Sequence, residues 1–418
     1  MSVSTSAVIS PVHGGLSAPV NRIVSADDAW QGLAKVEVNE TDHTTLYRIA
    51  DGTLSPLTGP MNESDYNTVL DSIYIERDGK KWAWAIPTIL PVTDAEAASA
   101  KVGEKVGLYR DGKLFGVLTV GSIFAWDKTR FCTAVYGTER TDHPGAQLWL
   151  GDERTQLLGG EIELVAFDDS RPFAGRVMSP TATRALAEER GYEQTIAFQT
   201  RNPLHRAHEY ALVYGAEVIL RDTGKKTGVI LNPLVGQLKG DDVPAATRMQ
   251  TYETLVNERH VGEGDKDEEL WKSKGQDLNE NLHLVGLDMR MYYGGPREAV
   301  MHAIYRQNLG FTHFIIGRKH ADAPYADGSP IWGDFDAQEI FDNLEGSLSI
   351  KTVNVGFAAY FEEIGRVGLM SENKDNTSVF ISGTKVREIL TSGELPDARI
   401  MRPCTAEILV EYYKSTKG

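Results

Sequence analysis

"TIAFQTRNPLHRAHEYALVYGAEVIL", Thr195–Leu220, decides the fold. Thr195–Thr200 is a short run of apolar, β-branched and aromatic residues, which reads as a buried strand. Leu204 to Leu220 carries apolar residues at helical spacing. Asn202 is a good helix cap, and Pro203 suits the first helical position, where a missing N–H costs nothing. His205 and His208 then stand at i and i+3 in the first turns, on one face. Free backbone N–H groups and the helix dipole favour an anion there, with Arg201 just before the cap. Two imidazoles, a guanidinium and a helix start facing one small volume make a phosphate-type anion site. Two other readings stay open. The histidines could cap or pack, or form a His-x-x-His metal site, although no third ligand stands at helical spacing.

The pattern continues outward. "MSPTATRALAEERGY" is a helix starting near Ser179 or Thr181 and ending at Gly191. The strands "GVILNPLVG", "HLVGLDM" and "THFIIG" alternate with the helices "PAATRMQTYETLVNE" and "GPREAVMHAIYRQNLG". Such alternation predicts a parallel sheet with helices on both faces, a doubly wound α/β unit. Before Arg171 the chain reads as β-rich. "YIERDGKKWAWAIP" and "VGLYRDGKLFGVLTV" each place Asp-Gly between strand-like runs, the signal of a hairpin. A small barrel or sandwich with a structural role is expected there. "SVFISGTKVREIL" near the C-terminus is a strand, a turn and a helix start, and one more helix ends the chain. The expected domains are 1–170, 171–350 and 351–418. Residues 261–281 are highly charged with few apolar positions, and are expected to be a solvated surface insertion.

Composition limits the partners. Of 418 residues, 43 are Lys or Arg and 59 are Asp or Glu, giving a net charge of −16. An acidic surface argues against nucleic-acid and anionic-membrane partners, so an anion site must be a local concentration of positive charge. Only two cysteines are present, Cys132 and Cys404, too few for a disulfide framework or a four-cysteine zinc site. Reduced thiols in a cytoplasmic protein are expected. The N-terminus lacks the features of a secretory signal, and no apolar run is long enough to span a bilayer. No phosphate loop of the G-x-x-x-x-G-K-[ST] type occurs.

Other strand ends supply matching groups. "THFIIGRKHADAP" places Gly317, Arg318, Lys319, His320 and Ala321 after a strand. "ISGTKVR" places Ser382, Gly383, Thr384, Lys385 and Arg387 at a helix start. "LNPLVGQLKGDD" places Gln237 and Lys239 after another strand. In an open α/β sheet, ligands bind beyond the carboxyl ends of the strands, so the four segments are expected to meet on one edge.

"QTRNPLHRAH", "GPREAVMHAIYRQNLGFTHFIIGR", "FDAQ" and "ISGTKVR" resemble the sulfate adenylyltransferase (ATP sulfurylase) family. "PVHGG" and "HPGAQLWLGDERTQLLGGEIEL" are similar to that family's first domain. The resemblance runs from about Pro11 to the last helix. It implies a PUA-like β domain followed by a Rossmann-like adenylyltransferase domain and a small C-terminal α/β region. It implies a nucleotidyltransferase that converts MgATP and sulfate to adenosine 5′-phosphosulfate and pyrophosphate, as in sulfate assimilation. Magnesium enters as MgATP, with no protein-bound metal, and a homo-oligomer is implied. Gln199 and Arg201 would bind sulfate, with the backbone N–H of Ala321. Thr200, Arg201 and Asn202 would line the reacting centre. His205 and His208 would hold ATP phosphates and stabilise the pentavalent phosphorus. Gly317, Arg318, Lys319 and His320 would contact the nucleotide, and Ala359 would lie against adenine. Sulfate has no proton to remove at neutral pH, so positioning and electrostatic stabilisation must carry the reaction.

Three features depart from the family pattern. Lys319 stands where an acid is usual, in Gly-Arg-Asp-His-Ala-Gly. The segment 261–281 is atypical of the commonest members. The chain has no Walker-type kinase segment, so a fused adenylylsulfate kinase is not expected. Two rival readings remain: a His-x-x-His adenylyltransferase with another acceptor, such as phosphopantetheine or nicotinamide mononucleotide, and an RNA-binding protein of PUA type.

Overall fold

The structure is a computed structural model describing residues 8–167, 171–236, 238 and 242–416. The first part is built on a six-stranded mixed sheet. Along its path run Ile23–Val24, Gln156–Val165, Lys113–Ala125, Lys105–Arg110 and Ala34–Glu37, with Pro91–Val92 paired to Gln156–Val165. Both Asp-Gly hairpins form. Tyr74–Arg77 pairs with Lys80–Ala83, and Lys105–Arg110 with Lys113–Ala125. At each turn Asp and Gly have positive φ: 51° and 70° at Asp78 and Gly79, 49° and 73° at Asp111 and Gly112. That twist matches the strands, which is why Asp-Gly predicts the turn. Five helices also pack here, among them Glu40–Ala50 and Lys128–Tyr136, so the β-rich reading was incomplete. "ETDHTTLYRIA" has too many threonines to declare a helix by propensity; burial of Leu46, Tyr47 and Ile49 in the core holds it.

The second part carries the parallel sheet. We number its strands β1 (Gln194–Thr200), β2 (Thr227–Pro233), β3 (Leu282–Leu284), β4 (His313–Ile316) and β5 (Lys351–Asn354). Their order is β3-β2-β1-β4-β5, with every pair parallel. Its longer helices are α1 (Pro180–Arg190), α2 (Arg206–Thr223), α3 (Ala245–Asn257) and α4 (Gly295–Asn308). α1 starts on Ser179, whose side chain accepts from the Ala182 N–H, and ends on Gly191 at φ 62°. In this strand order the chain reverses direction across the sheet between β1 and β4. Loops leaving those two strands turn to opposite faces and open a crevice between them. The third part is a small antiparallel sheet of β6 (Ala358–Phe361), β7 (Arg366–Leu369) and β8 (Ser378–Val379), followed by α5 (Gly383–Ser392) and α6 (Pro403–Ser415).

Residues 261–281 are not the solvated insertion that their charge suggested. Val261, Trp271 and Leu278 lie in the same apolar core as α2. Asp265, 1 % exposed, accepts from Arg206 Nε and Nη2 at 2.9 and 2.6 Å and from the Val367 N–H at 2.8 Å. The segment therefore braces the start of α2 against β7. Three anchors spread over 18 positions, with charged residues between them, show no periodicity in sequence. Trp271→Ala would leave a cavity costing about 3–5 kcal/mol. A clear fall in the urea unfolding midpoint is expected, whereas an unchanged midpoint would restore the solvated reading.

Candidate active site

At the crevice between β1 and β4 lies a cleft of about 620 Å3, a size that suits a nucleotide-scale ligand. The corner after β1 is built by Thr200. Its hydroxyl donates to the Asn202 carbonyl at 2.9 Å and accepts the Asn202 N–H at 3.2 Å, and Tyr252 donates to that same carbonyl at 2.8 Å. Asn202 does not cap the helix, and Pro203 is not its first residue. α2 begins at Arg206, with His205 as its N-cap and no side-chain capping bond. A residue before proline is disfavoured in helical geometry, which keeps Asn202 out of the helix, and α2 starts three residues after Pro203. The shift keeps both histidines at the helix start, as N-cap and third helical residue. Their rings stack, with centroids 3.8 Å apart and planes at 23°, and both line the cleft.

Three polar groups in the cleft lack partners. Arg201 donates through Nη2 to the Asp322 carbonyl at 3.2 Å and lies over the Tyr293 ring at 4.9 Å. Its Nη1 is buried without a partner, as are Gln199 Oε1 and His208 Nδ1. Each buried unsatisfied group costs about 1–3 kcal/mol. Three in one cleft point to a polar ligand that completes them. Asp322 Oδ1 is also unpartnered, but Asp322 does not line the cleft.

The imidazoles of the cleft are held neutral. Burial holds His205 well below the usual histidine range, with the neighbouring His208 adding to the effect, and burial lowers His208 to about 4. His320 is likewise held well below its usual value, first by burial and then by His302. At neutral pH these rings are uncharged hydrogen-bond partners, and the positive charge lining the cleft comes from Arg201, Arg318, Lys319, Arg387 and Arg399.

The loop after β4 carries Gly317 to Ala321 along the cleft wall. Lys319 and Ala321 both have positive φ, 52° and 58°. Non-glycine residues in that region cost about 1–2 kcal/mol each, a strain that clusters at functional sites. Arg318 Nη1 reaches Asp334 Oδ2 at 2.8 Å and Lys319 Nζ lies 3.5 Å from Asp334 Oδ1. The extra lysine thus shares one carboxylate with the arginine. Ala359, 3 % exposed, lines the opposite apolar wall with Phe357, Ile381, Val386 and Met401. Phe357 packs against Phe380 with centroids 5.7 Å apart, and Phe380 is 62 % exposed at the rim. Flat apolar walls suit an aromatic base.

From "ISGTKVR", Gly383 and Arg387 reach the cleft. Ser382 instead caps α5 by accepting the Lys385 N–H at 3.2 Å, and Lys385 turns away to Glu388 at 3.0 Å. Gln237 and Lys239 lie outside the described residues. Sequence reasoning also missed Glu298, His302 and Asp334. The first two sit one helical turn apart on α4, a helix whose polar residues are buried with its apolar ones. Ionisable groups four residues apart on a wholly buried helix were the available signal.

Among the described residues, Glu258, His260 and Cys404 bring three donor atoms within 4.8 Å. These residues do not line the cleft. His260 is already spanned by Glu258 at 3.3 Å and Glu263 at 2.7 Å, an ion-pair arrangement that accounts for the cluster. His205 and His208 gain no third ligand among the described residues.

A doubly wound sheet with His-x-x-His at the first strand-to-helix corner and unpartnered polar atoms on Gln199, Arg201 and His208 at the switch point defines a nucleotidyltransferase. The ATP-sulfurylase family model matches residues 175–412, and a PUA-like domain model matches 13–167. A sulfate adenylyltransferase from Pyropia yezoensis is 66 % identical over 408 residues, covering 97 % of each chain. One from Synechococcus sp. (strain JA-3-3Ab) is 35 % identical over 98 % of each. A probable bifunctional SAT/APS kinase 2 from Sorangium cellulosum is 36 % identical over 97 % of this chain and 65 % of its own. The solved structure of a hexameric APS kinase from Thiobacillus denitrificans shares the fold, with a TM-score of 0.71 at 18 % identity over 98 % of this chain and 69 % of that one. The chain belongs to the ATP-sulfurylase family.

The depressed histidines set a pH dependence. A histidine held neutral by the fold takes up its proton in the unfolded chain first, below about 6.5. Stability from His208 is therefore full above about 6.5 and lost as pH falls towards 4. His13, His43, His143, His283 and His313, each lowered to about 4 chiefly by burial, act in the same window. The melting temperature should fall steadily over this range, and the His208 ring resonance should titrate near 4 in the ligand-free protein. A midpoint near 6.5 would show that the ring is solvated.

Proposed function

We propose that the cleft transfers the adenylyl group of MgATP to sulfate, releasing pyrophosphate, by direct in-line attack of a sulfate oxygen on the α-phosphorus. The reaction is reversible. The observation that carries this reading is the trio of unpartnered buried polar atoms on Gln199, Arg201 and His208 at the β1–β4 crevice. The names of the similar proteins support sulfate and ATP as substrates. No feature favours an acceptor other than sulfate, and the acidic balance speaks against RNA.

The chemistry follows from the groups present. Gln199, Arg201 and the Ala321 N–H bind sulfate. Arg201 offers a planar fork that matches an oxyanion. His205 and His208 donate to the phosphates from the start of α2, and charge that grows on the phosphorus oxygens meets fixed donors in a desolvated site. Thr200 and Asn202 shape the corner that holds Arg201 and the imidazoles together. Arg318, Lys319 and His320 face the nucleotide, and Ala359 and Phe357 wall in the base. Magnesium enters with the nucleotide as part of the substrate. The nucleophile is already ionised, so no general base is required.

We also infer units at 1–170, 171–350 and 351–418, supported by the separate PUA-like and ATP-sulfurylase matches. Homo-oligomeric assembly is supported by the hexameric protein of similar fold. Location in the cytosol is supported by two unpaired cysteines, and among the described residues no helix is long and apolar enough to cross a membrane.

Pyrophosphate release from ATP should depend on sulfate, and molybdate should substitute for it. Silence with both would end the reading. His205→Ala or His208→Ala should each remove about 2–4 kcal/mol of transition-state stabilisation. Arg201→Lys should also be severe, because the planar fork is lost. Near wild-type turnover in folded variants would contradict these roles.

A further inference from the structure

Behind the cleft wall lie two buried polar residues that the reaction above does not use. Glu298 is 0 % exposed and His302 is 1 % exposed, both on α4. The Glu298 carboxylate accepts the Tyr292 N–H at 2.8 Å and the Gly294 N–H at 3.0 Å. Its Oε1 lies 3.3 Å from His302 Nε2. The same ring nitrogen lies 3.3 Å from the Gln199 carboxamide, and His302 Nδ1 lies 2.9 Å from His320 Nε2. The chain therefore runs Glu298, His302, then both Gln199 and His320.

With Glu298 ionised, hydrogen-bond polarity along this chain has two solutions. In the first, His302 Nε2 is a lone pair that accepts from the Gln199 amide N–H. That lone pair then faces the Glu298 carboxylate, two acceptors at 3.3 Å. Gln199 Oε1 is left buried without a partner, presenting an acceptor where an anion should sit. In the second, His302 carries its proton on Nε2 and donates it towards Glu298 and the Gln199 carbonyl oxygen. The carboxamide is turned by 180°, its N–H groups take the unpartnered place, and His302 Nδ1 accepts from His320 Nε2–H. Every contact is then a donor facing an acceptor. An ionised carboxylate beside Nε2 favours the second arrangement, because a histidine's tautomer is set by what its nitrogens face. Two backbone N–H donors favour that ionised form against burial, which raises the carboxyl to about 7.

We propose that Glu298 and His302 are positioning residues that lock the Gln199 carboxamide with its N–H groups towards the bound oxyanion. Together with Arg201 they make a receptor of donors only. Such a receptor accepts a fully ionised tetrahedral anion and rejects one that keeps a hydroxyl, such as hydrogen phosphate, whose O–H would find no acceptor. A buried hydrogen-bonding site discriminates strongly by leaving mismatched groups unpaired. The inference rests on the sulfate reading of Gln199.

The test compares wild type and Glu298→Gln at pH 8, where the carboxylate is ionised. The variant should raise the KM for sulfate by about tenfold or more and leave the KM for ATP within about threefold. Inhibition by inorganic phosphate, weak in wild type, should strengthen relative to sulfate binding. An unchanged sulfate KM and phosphate discrimination in a folded variant would overturn the proposal. Nitrogen-15 shifts of His302 in sulfate-bound wild type give a second reading that needs no variant. A protonated Nε2 supports the proposal, and a protonated Nδ1 with a bare Nε2 overturns it. Wild type without sulfate-dependent turnover would remove the proposed reaction and this inference together. Turnover with the wrong tautomer removes only the inference.

Discussion

At the carboxyl ends of β1 and β4 the chain leaves an arginine, a carboxamide and three imidazoles in a crevice, with some of their polar atoms unpartnered. Leaving buried atoms of these half-buried side chains unsatisfied costs stability, and the rest of the fold offsets that cost. The parallel sheet fixes the crevice between the two strands where its winding reverses. α2 places the imidazoles at its first turn. The 261–281 segment clamps Arg206, which stands between the two histidines, through the buried Asp265. The small C-terminal sheet and α5 and α6 close the apolar side. A site on mobile loops alone would let its donors relax onto one another, and nothing would remain for a ligand to complete.

The electrostatics follow from that burial. A protein with net charge −16 cannot attract anions by its overall field. Neutral imidazoles solve part of the problem, because they cost less to desolvate than imidazolium ions and still donate hydrogen bonds. The fixed charge is concentrated on guanidinium groups, which tolerate partial burial better than ammonium does. Asp334 offsets part of this charge: Arg318 and Lys319 share its single carboxylate, which leaves the trio with one net positive charge.

Much of this was legible in the sequence, and the reasons differ by element. Both Asp-Gly hairpins were readable because the turn chemistry is local. The strand-to-helix corner at Arg201–His208 was readable because its residue types have few other uses together. The exact start of α2 was not, since Asn202 and Pro203 satisfy the cap rules equally well one turn earlier, and the Thr200 turn decides against them. The direction of Lys385 was not readable either, because a lysine at a helix start can face a cleft or a glutamate such as Glu388. The burial of Trp271 and Asp265 depends on contacts with α2 and β7 that are distant in sequence. The charge state of the histidines belongs to the tertiary structure alone, since desolvation is a property of the packed cleft.

The helix α4 shows how such packing acquires chemical content. It presents Glu298, His302, Arg306, Gln307 and Asn308 to the interior, an expensive choice for a helix that could have been apolar. Four of these five make contacts that tie the helix to other parts of the chain. Asn308 ties the N-terminal segment through the His13 N–H and the carbonyls of Thr53 and Ser55. Gln307 accepts from the backbone of Ser349 and Ile350, just before β5. Glu298 and His302 reach the opposite end, where Gln199 and His320 stand. One helix thus links the first part of the chain, the sheet edge and the cleft residues Gln199 and His320 through partnered polar groups. Replacing this set by apolar residues would leave each of those backbone groups to be satisfied elsewhere, so the polar interior of α4 and the geometry of the crevice stand or fall together.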